Sequence, residues 1–229
     1  MITTNRIPPA IIFFGPDGSG KTTQAELLIK ELRRNGIRSR KLWLRSLHTF
    51  AFLISKVAMH TMGLQSVYDF RARYSHKKFF KGIWYTIEFC SILPLILFRL
   101  QLPLMKGYTI VAERYVIDWI VSLSYVSRNE RLLDSSFGRA ALKFIPKNSS
   151  LIYIDATYDA ISSRGRNEDS LEYIEFQRRL YQEIARRLNA KVIDTSDKTL
   201  QEVHKLICQY SLNSNTSASQ DIGLRRDLE

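Results

Sequence analysis

The sequence has little cysteine: only Cys90 and Cys208 among 229 residues. Two thiols so far apart make neither a disulfide framework nor a thiolate zinc site, and the expected setting is a reducing, cytoplasmic one. The chain is also short of acid, with 22 Asp and Glu against 34 Lys and Arg, a net charge of +12. That balance suits nucleic acid, an anionic membrane or phosphorylated small molecules as partners. The basic residues are scattered, however, through Arg33, Arg34, Arg38, Arg40 and Lys41, then Arg71 to Lys81, then Arg164 to Arg187. Scatter of this kind is usually a solvated surface, so nucleic acid is not the expected partner. Long apolar runs are missing too. The longest charge-free one, 89–98, falls short of the roughly 20 residues needed to span a bilayer, and Pro94, Arg99, Gln101 and Pro103 interrupt its surroundings. No transmembrane segment is expected, and the short polar stretch 1–9 does not read as a secretory leader.

What is present is an alternation of buried strands and helices. The run 10–15 (AIIFFG) is continuously apolar and ends on glycine, as a strand buried on both faces does. A helix is expected over 21–35, with an apolar stripe through Ala25, Leu27, Leu28, Ile29 and Leu32 and a stop at Asn35-Gly36. Further strands are expected over about 38–45, 108–112, 151–155 and 191–194. Helices are expected over 116–126, 158–164, 171–188 and 200–210. A long helical region, about 49–105, should be broken or kinked at Pro94 and Pro103. This pattern predicts an α/β fold, a three-layer α/β/α arrangement on a five-stranded parallel sheet with a helical insertion. Residues 1–210 form one domain in this reading. Residues 211–229, rich in Ser, Asn, Asp and Arg with no periodic apolar face, read as a disordered tail.

The residues Gly15-Pro16-Asp17-Gly18-Ser19-Gly20-Lys21-Thr22 match G-x-x-x-x-G-K-[ST] between a buried strand and an amphipathic helix, the setting the phosphate-binding loop of nucleotide-dependent proteins requires. Glycines let backbone N–H groups converge on an anion, and the helix N-terminus adds its partial positive charge. Lys21 should bridge the β- and γ-phosphates, the Thr22 hydroxyl should face Mg²⁺, and Thr23 follows in the first helical turn. The loop alone implies a nucleoside triphosphate, ATP or GTP. The absence of an [NT]-K-x-D guanine signature downstream disfavours GTP, and Ile154-Asp155-Ala156 lacks the second acid of a motor ATPase.

Beyond the loop, the chain resembles the thymidylate kinases. Phe14 to Gln24 is similar to that family's F-E-G-x-D-G-x-G-K-[ST]-[ST]-Q, and Gly107 to Tyr115 to its G-x-x-V-[IV]-x-D-R-[YFH], with Glu113 in place of aspartate. Ile154 to Arg164 resembles its L-D-x-x-P-E-x-A-x-x-R, and Val192-Ile193-Asp194-Thr195 the strand end near the adenine. The resemblance implies ATP and Mg²⁺ as cofactors and a nucleoside monophosphate, dTMP foremost, as the small-molecule acceptor. It also implies a homodimer through the helices around 79–104. It gives Arg114 the acceptor phosphate, together with Arg45, Tyr115 and Asp17 on the acceptor side. Glu113 ranks first and Asp155 second as the acid linked to Mg²⁺. Arg164 and Arg166, on a glycine-containing charged stretch at about 164–170, would be lid cations, and Thr195 would lie near the adenine. The chain departs from the family where the base is read: after Tyr115 the family's x-x-S-x-x-A-Y-Q is replaced, with Asp118 at the serine position and Ser122 and Leu123 at the Tyr and Gln positions.

Overall fold

A computed structural model describes residues 7–44, 60, 78–165 and 170–212. Five strands form one parallel sheet: β1 (Ala10–Phe14), β2 (Ser39–Trp43), β3 (Thr109–Arg114), β4 (Ser150–Asp155) and β5 (Lys191–Asp194), in the order β2-β3-β1-β4-β5. β1 is central, with Ile12 opposite Ala112 on one side and Leu151 on the other. Its continuous apolar run follows from this position, because side chains alternate between two covered faces. Ile11 and Phe13 face α1 (Lys21–Arg34) and α7 (Leu200–Leu212), packing with Leu28, Leu32, Val203 and Ile207. Ala10, Ile12 and Phe14 face the opposite layer, where α2 (Lys78–Ile96), α3 (Val116–Val126) and α6 (Leu171–Arg187) contribute Ile92, Ile120 and Tyr181. The expected three-layer α/β/α fold is therefore the observed one, and it is the fold of the P-loop NTPases.

Several boundaries shift. β3 continues two residues past its expected end, so Glu113 and Arg114 leave the sheet as strand residues. Against β2 its register slips: Leu42 lies opposite Ala112 but Trp43 opposite Arg114, which leaves Glu113 as the extra residue of a bulge. Bulges re-aim side chains and are common beside active sites. A short 3₁₀ turn (Glu130–Asp134) and α4 (Ser136–Leu142) fill a stretch for which the sequence suggested no element, and α5 (Tyr158–Ser163) precedes Gly165. α7 runs to Leu212, two residues beyond the expected domain end. The stretch 213–229, expected as a tail, lies outside the described residues.

Of the break or kink expected at Pro94 and Pro103, no break occurs at Pro94. α2 passes through it, and a π-helical stretch (Leu97–Gln101) then leads into a last α-turn (Leu102–Met105). The π stretch ends just before Pro103, whose nitrogen has no N–H to offer the Arg99 carbonyl one α-turn back. The result is a longer apolar helix than the run 89–98 suggested. Tyr85–Met105 is long and apolar enough by composition to cross a membrane, and 33% of it is buried within the protein. The buried side carries Tyr85, Glu88, Ile92, Ile96 and Leu100 at helical spacing. That stripe faces the sheet, as a core helix requires.

Candidate active site

The carboxyl ends of β1, β3 and β4 converge, and the loop after each carries the polar residues. This is where ligands sit in open parallel sheets. The β1 loop turns through Gly15, Gly18 and Gly20 at φ of 148°, 85° and 97°, values that side-chain-bearing residues rarely adopt. A methyl group on Gly15 would lie 2.0 Å from the Ile154 carbonyl oxygen, so this glycine is needed for packing against β4. On Gly20 it would meet nothing within 4 Å, so the space before α1 is open. Gly20 starts α1 without a side-chain cap, and no acid stands in the first turn. Backbone N–H groups directed into open space, with Thr22 and Thr23 exposed beside them, fit a bound phosphate chain.

Lys21 is buried. Its Nζ donates to the Gly15 and Pro16 carbonyls at 2.6 and 2.7 Å and lies 3.8 Å from Asp17 Oδ1. Burial lowers its pKa, and Asp17 opposes that shift. The Arg114 guanidinium reaches across from β3 to pair with the same Asp17 oxygen. Burial works against its charge, but Asp17 and Asp118 outweigh it and hold Arg114 above its ordinary value. The exit of β3 is thereby tied to the phosphate loop, and two cations flank one carboxylate.

Asp118 adds a second buried carboxylate. Its Oδ2 accepts from the Tyr115 N–H at 3.0 Å and its Oδ1 from the Tyr181 hydroxyl at 2.9 Å. Placed at the third position of α3, it satisfies an N–H that the helix start leaves open. Burial raises its pKa against the pull of Lys21 and Arg114. Tyr181 sits in an aromatic group, its centroid 6.1 Å from Tyr153 and 6.0 Å from Phe14. Tyr181→Phe keeps the ring and removes one donor from a buried carboxylate. The expected loss is about 1–3 kcal/mol of unfolding free energy, read by denaturant titration.

Glu113, the first-ranked Mg²⁺-linked acid, is buried, with Lys41 Nζ 3.0 Å from its Oε2. The same ammonium lies 3.0 Å from Glu26 Oε1. Asp155, the second-ranked acid, is held by both faces of a fork: Arg178 Nε to Oδ1 at 2.9 Å and Nη2 to Oδ2 at 3.0 Å. Among the described residues no cluster of three His, Cys, Asp or Glu could hold a metal. Mg²⁺ held by a hydroxyl, one acid, water and phosphate oxygens needs none.

Arg164 is placed on another side of the loop. It donates to the Gly18 carbonyl at 3.2 Å and to Thr195, at 3.3 Å to Oγ1 and 2.5 Å to the carbonyl. The Thr195 hydroxyl is within reach of the Ser19 and Asp155 carbonyls, at 3.2 and 3.0 Å. Arg164 and Thr195 thus line a cavity of about 230 Å³ with Gly20, Thr23, Lys198 and Leu200. Arg164, which the resemblance makes a lid cation, has its guanidinium in the wall of this cavity. Tyr115 is fully buried, and its hydroxyl donates to the Phe144 carbonyl at 2.8 Å. Its side chain therefore braces the core. Arg45 and Arg166 lie outside the described residues.

Three contributors were not anticipated: Lys41, Gln177 and Arg178. Gln177 Oε1 accepts from the Asp17 N–H at 3.4 Å. Its signal was present in the sequence, for Gln177 and Tyr181 interrupt the apolar stripe that Ile174 and Ile184 define on α6, and a buried polar group needs a partner.

The chain is 28% identical over 214 residues to a probable thymidylate kinase of Methanocaldococcus jannaschii, a match that covers 89% of this chain and 95% of that protein. No family model matches the sequence. The resemblance to the thymidylate kinases thus extends from the motifs to nearly the whole chain.

Proposed function

We propose that this chain transfers the γ-phosphoryl group of ATP to a nucleoside monophosphate, with dTMP the first acceptor to test. The observation that carries the reading is the Lys21–Asp17–Arg114 grouping, which sets the exit of β3 against the phosphate loop. Two phosphates that repel one another need cations on both sides of the transferred group. In this reading Lys21 holds the donor phosphates and Arg114 the acceptor phosphate. The acceptor oxygen is already anionic, so no general base is required, and the protein supplies alignment and charge neutralisation. The 230 Å³ cavity beside Gly20 suits the base of ATP, with Arg164 and Thr195 in its wall. The Thr22 hydroxyl and Glu113 would hold Mg²⁺, which neutralises phosphate charge when bound. Lys41 keeps Glu113 in place. The 28% likeness to a probable thymidylate kinase supports the same chemistry.

A second reading, a related kinase with a different phosphorylated acceptor, has one observation in its favour. Asp118 and its partner Tyr181 stand beside Arg114, where the family resemblance led us to expect a serine. A coupled ADP-release assay against a panel of nucleoside monophosphates separates the two. The expected result is acceptor-stimulated ADP release, greatest with dTMP. Stimulation greatest with another acceptor selects the second reading, and none with any nucleotide sinks the first.

A further inference from the structure

The long helix ending at Met105 is apolar on both sides. Opposite its buried stripe it shows Leu97, Phe98, Leu102 and Met105, which are 51, 62, 38 and 82% exposed. From Lys78 to Met105 the only acid is Glu88, and it is buried. At the end of the exposed strip the chain turns sharply, with the Tyr108 N–H donating to the Pro103 carbonyl at 3.0 Å. The Tyr108 ring carries two guanidiniums: Arg38 and Arg40 lie 4.5 and 4.9 Å from its centroid. Arg38 Nη2 also donates to the Tyr108 hydroxyl at 3.2 Å. Lys106 is exposed in the turn itself. Among the described residues no carboxylate forms an ion pair with any of these three cations. An apolar strip thus ends in a cluster of positive charge that no carboxylate among the described residues pairs.

We propose that Phe98, Leu102 and Met105, with Arg38, Arg40 and Lys106, form a docking surface for an anionic phospholipid bilayer. The helix lies along the interface, its exposed side chains reach the acyl boundary, and the cations meet headgroup phosphates. Nucleic acid fits less well. The Tyr108 ring is engaged by the two guanidiniums and is not offered to a base, and the apolar strip has nothing to contact on a phosphate backbone. The second copy that the family resemblance implies also fits less well. A two-fold interface must be complementary to itself, and this strip has cations but no exposed acid to meet them.

The test uses no nucleotide, so its outcome is independent of the proposed phosphoryl transfer. The full chain is sedimented with phosphatidylcholine vesicles, with and without phosphatidylglycerol. Binding is expected only when phosphatidylglycerol is present, and it weakens as salt rises. The Arg38→Gln/Arg40→Gln pair should lower partitioning roughly 25-fold, at about fivefold per charge. Phe98→Asp/Met105→Asp should abolish it, and circular dichroism should show both variants folded because all four side chains are exposed. Absence of binding to anionic vesicles overturns the proposal. So does light scattering that shows a dimer split by the aspartate pair with no vesicle binding. Salt-dependent capture of a random DNA duplex, lost in the glutamine pair and again without vesicle binding, overturns it as well.

Discussion

Lys21→Ala lowers the rate of phosphoryl transfer by at least about 10²–10³-fold, the scale for losing one preorganised charge-stabilising donor. The same substitution leaves the fold intact. Lys21 is 5% exposed, and burial already disfavours its charge, so removing the ammonium relieves a desolvation cost. The Gly15 and Pro16 carbonyls lose a donor in exchange. These effects oppose one another, and a change in stability within about 1 kcal/mol is expected. The measurements are ADP release under saturating acceptor and a thermal unfolding curve. Near-full activity in a folded Lys21→Ala variant would refute the role given to this residue.

Gly15→Ala has the largest expected effect on stability. At φ of 148° an alanine is strained, and its Cβ would lie 2.0 Å from the Ile154 oxygen and 3.0 Å from the Ile154 carbon. Both atoms are backbone of β4, the neighbour of β1 in the centre of the sheet, so they cannot step aside as a flexible side chain can. The backbone conformation alone costs about 1–3 kcal/mol, and the overlap adds to it. A loss above about 3 kcal/mol is a large part of the 5–15 kcal/mol that holds a typical domain. Gly20→Ala is the control. It has a similarly unfavourable φ of 97° but no atom within 4 Å of the added carbon, so it loses only the backbone part, about 1–2 kcal/mol. Its methyl group would occupy the open space where phosphate is proposed to sit. The pair should separate packing from binding. Gly15→Ala lowers the denaturation midpoint sharply, whereas Gly20→Ala mainly weakens nucleotide binding. Equal midpoints for the two would contradict the contact at Ile154.

The middle of the sheet was legible in the sequence because β1, β3 and β4 are largely buried on both faces and punctuated by turns. The run from Ala10 to Phe14 and the one from Leu151 to Asp155 could hardly be anything else. The phosphate loop was legible because its glycines and Lys21 carry a spacing set by backbone geometry. The bulge at Glu113 was not, since it arises from the register between β2 and β3 and leaves no mark on β3 alone. Arg178 was not legible for a related reason. It is one of several arginines on α6, and only the fold brings it to Asp155 while Arg179 stays on the surface. Nor did the sequence show that the helix would continue past Pro94 or widen into a π-turn before Pro103.

One further consequence concerns α6. Within five residues it sends Gln177 to the backbone of the phosphate loop, Arg178 to the end of β4 and Tyr181 to the start of α3. Segments distant along the chain are thus tied to a single helix. A fluctuation that lifts α6 breaks all three ties at once, whereas one that frays a single loop leaves the other two in place. In native-state amide exchange, N–H groups protected near the Asp17 turn, at the start of α3 and around the end of β4 should open as one cooperative unit, with a common free energy and a common dependence on denaturant.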